Sequence, residues 1–99
     1  MTFTFSGVQW DNGNWPKCAK HGISQEEIEF VLLHEPLVAP DRTGTEEVRF
    51  NAVGLNAGGR HIFIVFTTRQ GDDGEALIRP ISARYMHGKE IANYERQRP

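Results

Sequence analysis

Two kinds of hydrophobic spacing divide the chain, a helical one before residue 36 and an alternating one after it. Residues 15–21 are predicted to form a short helix that Gly22 ends in a left-handed conformation. Ser24 and Glu27 have the spacing of a capping box, which predicts the start of a second helix. The apolar stripe that this second helix turns toward the core contains Ile28, Val31 and Leu32.

The alternation after residue 36 predicts strands. The strand within residues 61–69 is apolar on both faces, so we expect it at the centre of the sheet. Pro80 in the last strand predicts an edge position or a bulge, because proline has no N–H to donate. The expected strands cover residues 3–10, 37–39, 48–52, 61–69 and 77–83; loops are expected at 56–59 and 70–74, and a final helix at 87–97.

The order of these elements predicts the fold class. A strand, two helices, an antiparallel meander of at least three strands and a C-terminal helix make an α+β fold, with the helices expected against one face of the sheet. Ninety-nine residues suffice for one modest core, so we expect a single domain over residues 1–99.

Composition and charge narrow the function. The net charge of −2 disfavours a protein that coats nucleic acid indiscriminately. The charge is unevenly distributed: residues 1–22 carry +1, residues 23–75 carry −6 and residues 76–99 carry +3. No apolar run is long enough to cross a bilayer, and one cysteine, Cys18, cannot form an internal disulfide. We therefore expect a cytoplasmic protein without a membrane partner.

Several local patterns, in this order, resemble one family over roughly residues 5–95. The sequence is similar to the BrnT branch of the RelE-like ribonuclease toxins. The resemblance is carried by Trp10-Asp11, Lys20-His21-Gly22-Ile23-Ser24, residues 49–54, Phe66-Thr67-Thr68-Arg69, and Ile78-Arg79-Pro80-Ile81-Ser82-Ala83-Arg84 followed by Glu90 and Tyr94.

The resemblance implies the toxin of a type II toxin–antitoxin pair, with a RelE-like fold, that cleaves RNA without a metal or other cofactor and inhibits growth. It also implies a cognate antitoxin with a DNA-binding segment, which neutralises the toxin and provides its only link to DNA. The alternative is a non-catalytic binding module or co-repressor partner of the same fold, since one fold hosts many functions.

Metal-free cleavage needs a base for the ribose 2′-hydroxyl, an acid for the leaving oxygen, and cations near the phosphate. The candidate catalytic residues are Lys20, His21, Arg69, Arg79 and Arg84. Each also has a structural interpretation. Lys20 and His21 are favoured in the last turn of any helix; Arg79 and Arg84 can pair with Glu90 and Glu95, and Arg69 with Asp72 or Asp73.

Three further residues are candidates for RNA binding. Arg49 lies on the non-core face of its strand, and Glu90 and Tyr94 lie four residues apart on one face of the last helix. Glu90 could instead orient an arginine, and Tyr94 could pack inward. The histidines His34, His61 and His87 do not have metal-ligand spacing, so no metal is expected.

Overall fold

The computed structural model describes residues 5–41 and 47–97. Five strands form one sheet in the order β1-β5-β4-β3-β2, with α1 and α2 packed on it. The element bounds are β1 Gly7–Val8, a 3₁₀ helix Lys17–His21, α1 Gln25–Leu33, β2 Leu37–Pro40, β3 Phe50–Leu55, β4 His61–Gln70, β5 Ala76–Tyr85 and α2 Gly88–Gln97.

The α+β class is confirmed, but the sheet and the first helix differ from the prediction. The sheet is mixed, because β1 pairs parallel to β5 while β2 to β5 form the antiparallel meander. The first of three expected helices is a five-residue 3₁₀ helix, so the described residues contain two α-helices. Pro16 and Gly22 flank this segment closely, and Gly22 ends it at φ 82° as predicted.

The core lies between α1 and the central strand. Ile62, Ile64 and Phe66 on β4 are fully buried, as are Ile28 and Val31 on α1. The predicted capping box is present: the Glu27 N–H donates to the Ser24 hydroxyl, and the Ser24 N–H donates to the Glu27 carboxylate. The capping box and the buried stripe fix α1 against one face of the sheet.

The second α-helix does not share that face, contrary to the prediction. Successive strand residues point to opposite faces, so His61 and Phe63 on β4 project away from α1. Arg84 lies opposite Phe63 and projects with it. Contacts of α2 run from Glu90 to Arg84 and from Glu95 to His61. The final helix therefore covers one end of the opposite face.

The first strand is much shorter than predicted, and Pro80 explains where it stops. The expected residues 3 and 4 lie outside the described range, and pairing with β5 covers Gly7 and Val8. The Gln9 N–H still donates to the Ile78 carbonyl, but Pro80 has no N–H with which to continue the ladder. Pro80 also borders a register shift against β4, as the predicted bulge requires.

The Asn14 side chain continues the hydrogen bonding along β5 where β1 ends. Its side-chain amide donates to the carbonyls of Gln9 and Pro80 at 3.0 and 2.9 Å, and its side-chain oxygen accepts the Asp11 N–H. Asn14 is 2% exposed, so these bonds satisfy its polar side chain within the protein, and the bond to the Pro80 carbonyl is itself buried. The 3₁₀ helix that follows packs against β5.

Candidate functional site

Four arginines project from the sheet face opposite α1. Arg79 lies opposite Thr67, and Arg84 lies opposite Phe63. By strand alternation, Arg69 shares the side of Thr67, and Arg49 shares the side of Asn51, which lies opposite Val65. We call Arg49, Arg69, Arg79 and Arg84 the arginine face.

Arg79 is the most buried member of the arginine face. Its guanidinium donates two hydrogen bonds to the Asp11 carboxylate, at 2.8 and 3.0 Å, and one to the Gln9 side chain at 3.1 Å. The Arg79 hydrogen bond, followed by the Gly13 N–H, lowers the pKa of Asp11. A Cβ at position 13 would lie 2.7 Å from Arg79 Nη2, so a side chain there would have to displace the guanidinium.

Arg84 is fixed by the last helix. It makes two hydrogen bonds to Glu90, at 2.8 and 2.7 Å, and its guanidinium lies 4.6 Å from the centre of the Phe63 ring. The Glu90 carboxylate also accepts the His87 N–H. The Arg84 hydrogen bonds, with the His87 N–H second, lower the pKa of Glu90 to about 2. Glu90 therefore orients an arginine, as one sequence interpretation proposed.

The ion pair between Arg84 and Glu90 predicts that the free energy of unfolding depends on pH. The ordinary pKa of Glu90, 4.5, falls to about 2 in the folded chain. A depressed folded pKa contributes stability above the unfolded pKa and loses it as the pH falls between these two values. We expect Glu90→Gln to lower the free energy of unfolding at pH 7 and to have a smaller effect as the pH approaches 2, measured by urea unfolding.

The matched control is Glu26→Gln, on the exposed side of α1. It should change the pH profile much less than Glu90→Gln does. An equal loss of stability for Glu90→Gln across pH 7 to 2 would contradict the assigned ion pair.

Glu47 brings two further arginines together. Its carboxylate lies 2.7 Å from Arg69 Nη2 and 3.8 Å from Arg49 Nε. The Arg69 hydrogen bond is the largest cause of the lowered pKa of Glu47, and the charges of Arg49 and Arg79 add to it. Arg69 thus pairs with Glu47 instead of the predicted Asp72 or Asp73. Arg49 and Arg69 therefore lie beside one carboxylate, and the charge of Arg79 also acts on it.

Arg84 lies further along the same face. Its partner on β4, Phe63, is four residues from Thr67, the partner of Arg79. Four residues of strand span roughly 13 Å. The arginine face is therefore an elongated cationic strip rather than a single point, which suits a chain of phosphates.

Lys20 and His21 lie at the end of the 3₁₀ helix, beside the strand that carries Arg79 and Arg84. Both are exposed. Neither side chain has an ion-pair or hydrogen-bond partner among residues 5–41 and 47–97. The two groups are accessible to a ligand, whereas the guanidinium groups of the arginine face are paired with carboxylates.

Tyr94 packs inward, as one sequence interpretation allowed. It is 9% exposed, and its ring contacts the edge of His61 at 5.5 Å between centroids. Tyr94 also borders a groove between the two α-helices, together with Phe30 and His34. Little of the Tyr94 ring surface is left for a nucleobase.

Sequence reasoning missed three residues of this region. Asp11, Asn14 and Glu47 are not among the candidate site residues that the sequence predicts. Their partners, Pro80, Arg79 and Arg69, are remote in the chain, so spacing alone carried no signal for these contacts. The described part of the chain has no group of three His, Cys, Asp or Glu side chains that could hold a metal.

The α+β fold and the strip of arginines on one sheet face place this chain in a class of small proteins suited to binding a polyanionic ligand. The family comparison makes the class specific: residues 10–90 match the family model described as the ribonuclease toxin BrnT of type II toxin–antitoxin systems. The chain belongs to this family, as its sequence motifs predicted. Among curated proteins, no significant match is found.

No helix in the described residues is long and apolar enough to span a bilayer.

Proposed function

We propose that this chain is a toxin that cleaves RNA internally, without a metal ion, and inhibits growth until an antitoxin binds it. The family match supports the ribonuclease class. The observation that carries the site assignment is the arginine face on the sheet, bordered at β5 by the 3₁₀ helix that carries Lys20 and His21. The proposed toxin acts in the cytoplasm as a single domain.

In the proposed reaction, the ribose 2′-oxygen loses a proton and attacks the adjacent phosphorus. The bond to the 5′-oxygen breaks, and that oxygen takes up a proton, which leaves a cyclic phosphate and a 5′-hydroxyl. His21 is the proposed proton-transfer group, because an imidazole can both accept and donate a proton. Lys20 supplies a point charge beside it.

The arginines act on the phosphate in this proposal. Arg69, Arg79 and Arg84 stabilise the negative charge that grows on the nonbridging oxygens, and Arg49 binds RNA at the same strip. Arg79 already uses three of its N–H groups on Asp11 and Gln9. Its remaining donors are available to a phosphate. Glu90 positions Arg84 and does not itself face the reaction.

The direct test is cleavage of RNA by the purified protein in EDTA. The wild-type chain should produce fragments that end in cyclic phosphate, and Arg84→Gln should lower the rate about 10²-fold through the loss of one charge-stabilising donor. Arg96→Gln, an exposed position on α2, is the matched control and should stay within about twofold of wild type. Intact RNA after incubation with wild-type protein, together with normal growth on induction, would contradict the proposal.

The partner is tested separately. A type II system implies an antitoxin protein, and we propose that it carries a DNA-binding segment and is the chain's only connection to DNA. Co-expression of the adjacent small reading frame should restore growth that the toxin alone arrests. Growth arrest that persists with every neighbouring reading frame expressed would count against this partner.

One observation favours a second candidate, a non-catalytic binding module. Each arginine of the arginine face lies within 4 Å of a carboxylate of the same chain: Arg49 and Arg69 of Glu47, Arg79 of Asp11, and Arg84 of Glu90. Such pairing is also how a sheet face is stabilised without any ligand. Antitoxin binding by a wild-type protein that leaves RNA intact would support this candidate.

A further inference from the structure

Glu47 lies where an RNA phosphate would bind. Its carboxylate accepts a hydrogen bond from Arg69 at 2.7 Å and lies 3.8 Å from Arg49 Nε, beyond hydrogen-bond range. Both arginines project from the same sheet face as Arg79, whose charge also acts on this carboxylate. Arg49 and Arg69 therefore lie beside a site that already holds an anion, and the charge of Arg79 also reaches it.

The carboxylate fits this site incompletely. Arg49 Nε is buried, and its N–H has no hydrogen-bond partner among the described residues. A buried donor without an acceptor is unfavourable. A phosphate is tetrahedral and has more acceptor oxygens than a carboxylate, so one phosphate can accept from Arg69 and from Arg49 Nε together. The unpaired N–H of Arg49 Nε thus indicates that a phosphate fits this site better than the Glu47 carboxylate does.

The Glu47 pair is also the easiest of these contacts to exchange. Arg69 is 42% exposed, more than Arg49, Arg79 or Arg84. Exposed ion pairs are weak and screened by salt.

We propose that Glu47 occupies a phosphate subsite formed by Arg49 and Arg69, and that RNA must displace the Glu47 carboxylate to bind there. This inference rests on the proposed function and adds to it an intramolecular competitor. Glu47 lowers RNA affinity, and the subsite takes a backbone phosphate rather than a base. Because Glu47 belongs to the same chain, its competition with RNA is present at every RNA concentration.

The test measures binding without cleavage. A 2′-O-methyl RNA oligonucleotide cannot be cleaved, because its 2′-oxygen carries no proton. Its Kd should fall about fivefold for Glu47→Gln, the gain expected from removing a weak exposed ion pair. Asp72→Asn removes the same charge three residues from Arg69 and should change the Kd less than about twofold. Adding Arg69→Gln to Glu47→Gln should abolish the gain.

The outcomes separate the two proposals. If wild-type protein cleaves RNA in EDTA but Glu47→Gln binds the oligonucleotide no tighter than Asp72→Asn, this inference alone is wrong. If wild-type protein neither binds nor cleaves RNA, the proposed function fails with it. If Glu47→Gln lowers the Tm so far that it does not fold, Glu47→Asp replaces it: the shorter side chain keeps the charge but withdraws from Arg69. An affinity for Glu47→Asp no greater than that of wild type would then overturn the inference.

Discussion

Replacing His21 with asparagine is expected to lower the rate of RNA cleavage by about 10²-fold or more, the usual contribution of a general acid or base. His21 is exposed at the end of the 3₁₀ helix, and its side chain has no described hydrogen-bond partner. The substitution should therefore leave the Tm and the affinity for 2′-O-methyl RNA nearly unchanged. Single-turnover cleavage in EDTA, together with thermal unfolding, measures both effects.

His87→Asn is the matched control, because His87 is also exposed and lies just before a helix. Its cleavage rate should stay within about twofold of wild type. Equal rates for His21→Asn and wild type would remove His21 from the mechanism and leave Lys20 as the candidate proton-transfer group of the 3₁₀ helix.

The second large effect is expected at Asn14. Asn14→Ala leaves the carbonyls of Gln9 and Pro80 and the N–H of Asp11 without their present partner, and the lost bond to Pro80 is buried. Buried polar groups left unpaired cost about 1 to 3 kcal/mol each, with partial relief by relaxation. We expect the free energy of unfolding to fall by roughly 2 to 4 kcal/mol, measured by urea unfolding.

Asn12→Ala is the matched control in the same turn. Asn12 is exposed, so its replacement should change the free energy of unfolding by less than about 0.5 kcal/mol. Asn14→Ala should also lower the cleavage rate more than its loss of stability explains, because Asn14 fixes the chain that leads into the 3₁₀ helix. A stable Asn14→Ala variant with wild-type cleavage would contradict this positioning role.

Local sequence patterns were sufficient to predict the helices and strands, but not to predict which of these elements pack against each other. The capping box at Ser24, the left-handed Gly22 and the central position of β4 depend on neighbours in the chain, and all three predictions are confirmed. The parallel pairing of β1 with β5 joins residues about 70 positions apart. No periodicity within either strand encodes that partner.

In the candidate site, too, local patterns predicted the positions of residues but not their partners. Alternation placed Arg49 and Arg69 on the face away from the core, and the register brings them beside Arg79. Their carboxylate partner was not predicted, because Glu47 lies before the predicted strand 48–52, where alternation does not apply. The predicted side of α2 was also wrong: its apolar residues indicate that it packs, but not that it meets Arg84 and His61 on the face away from α1.

The central claim is that the 3₁₀ helix and the arginine face contact the same stretch of RNA. Titration of ¹⁵N-labelled protein with 2′-O-methyl RNA tests this most directly, through changes in amide chemical shifts. The account predicts that the signals of Lys20 and His21 move at the same RNA concentrations as those of Arg69 and Arg84. Changes confined to one of these two regions, or to the groove beside Phe30 and His34, would contradict it.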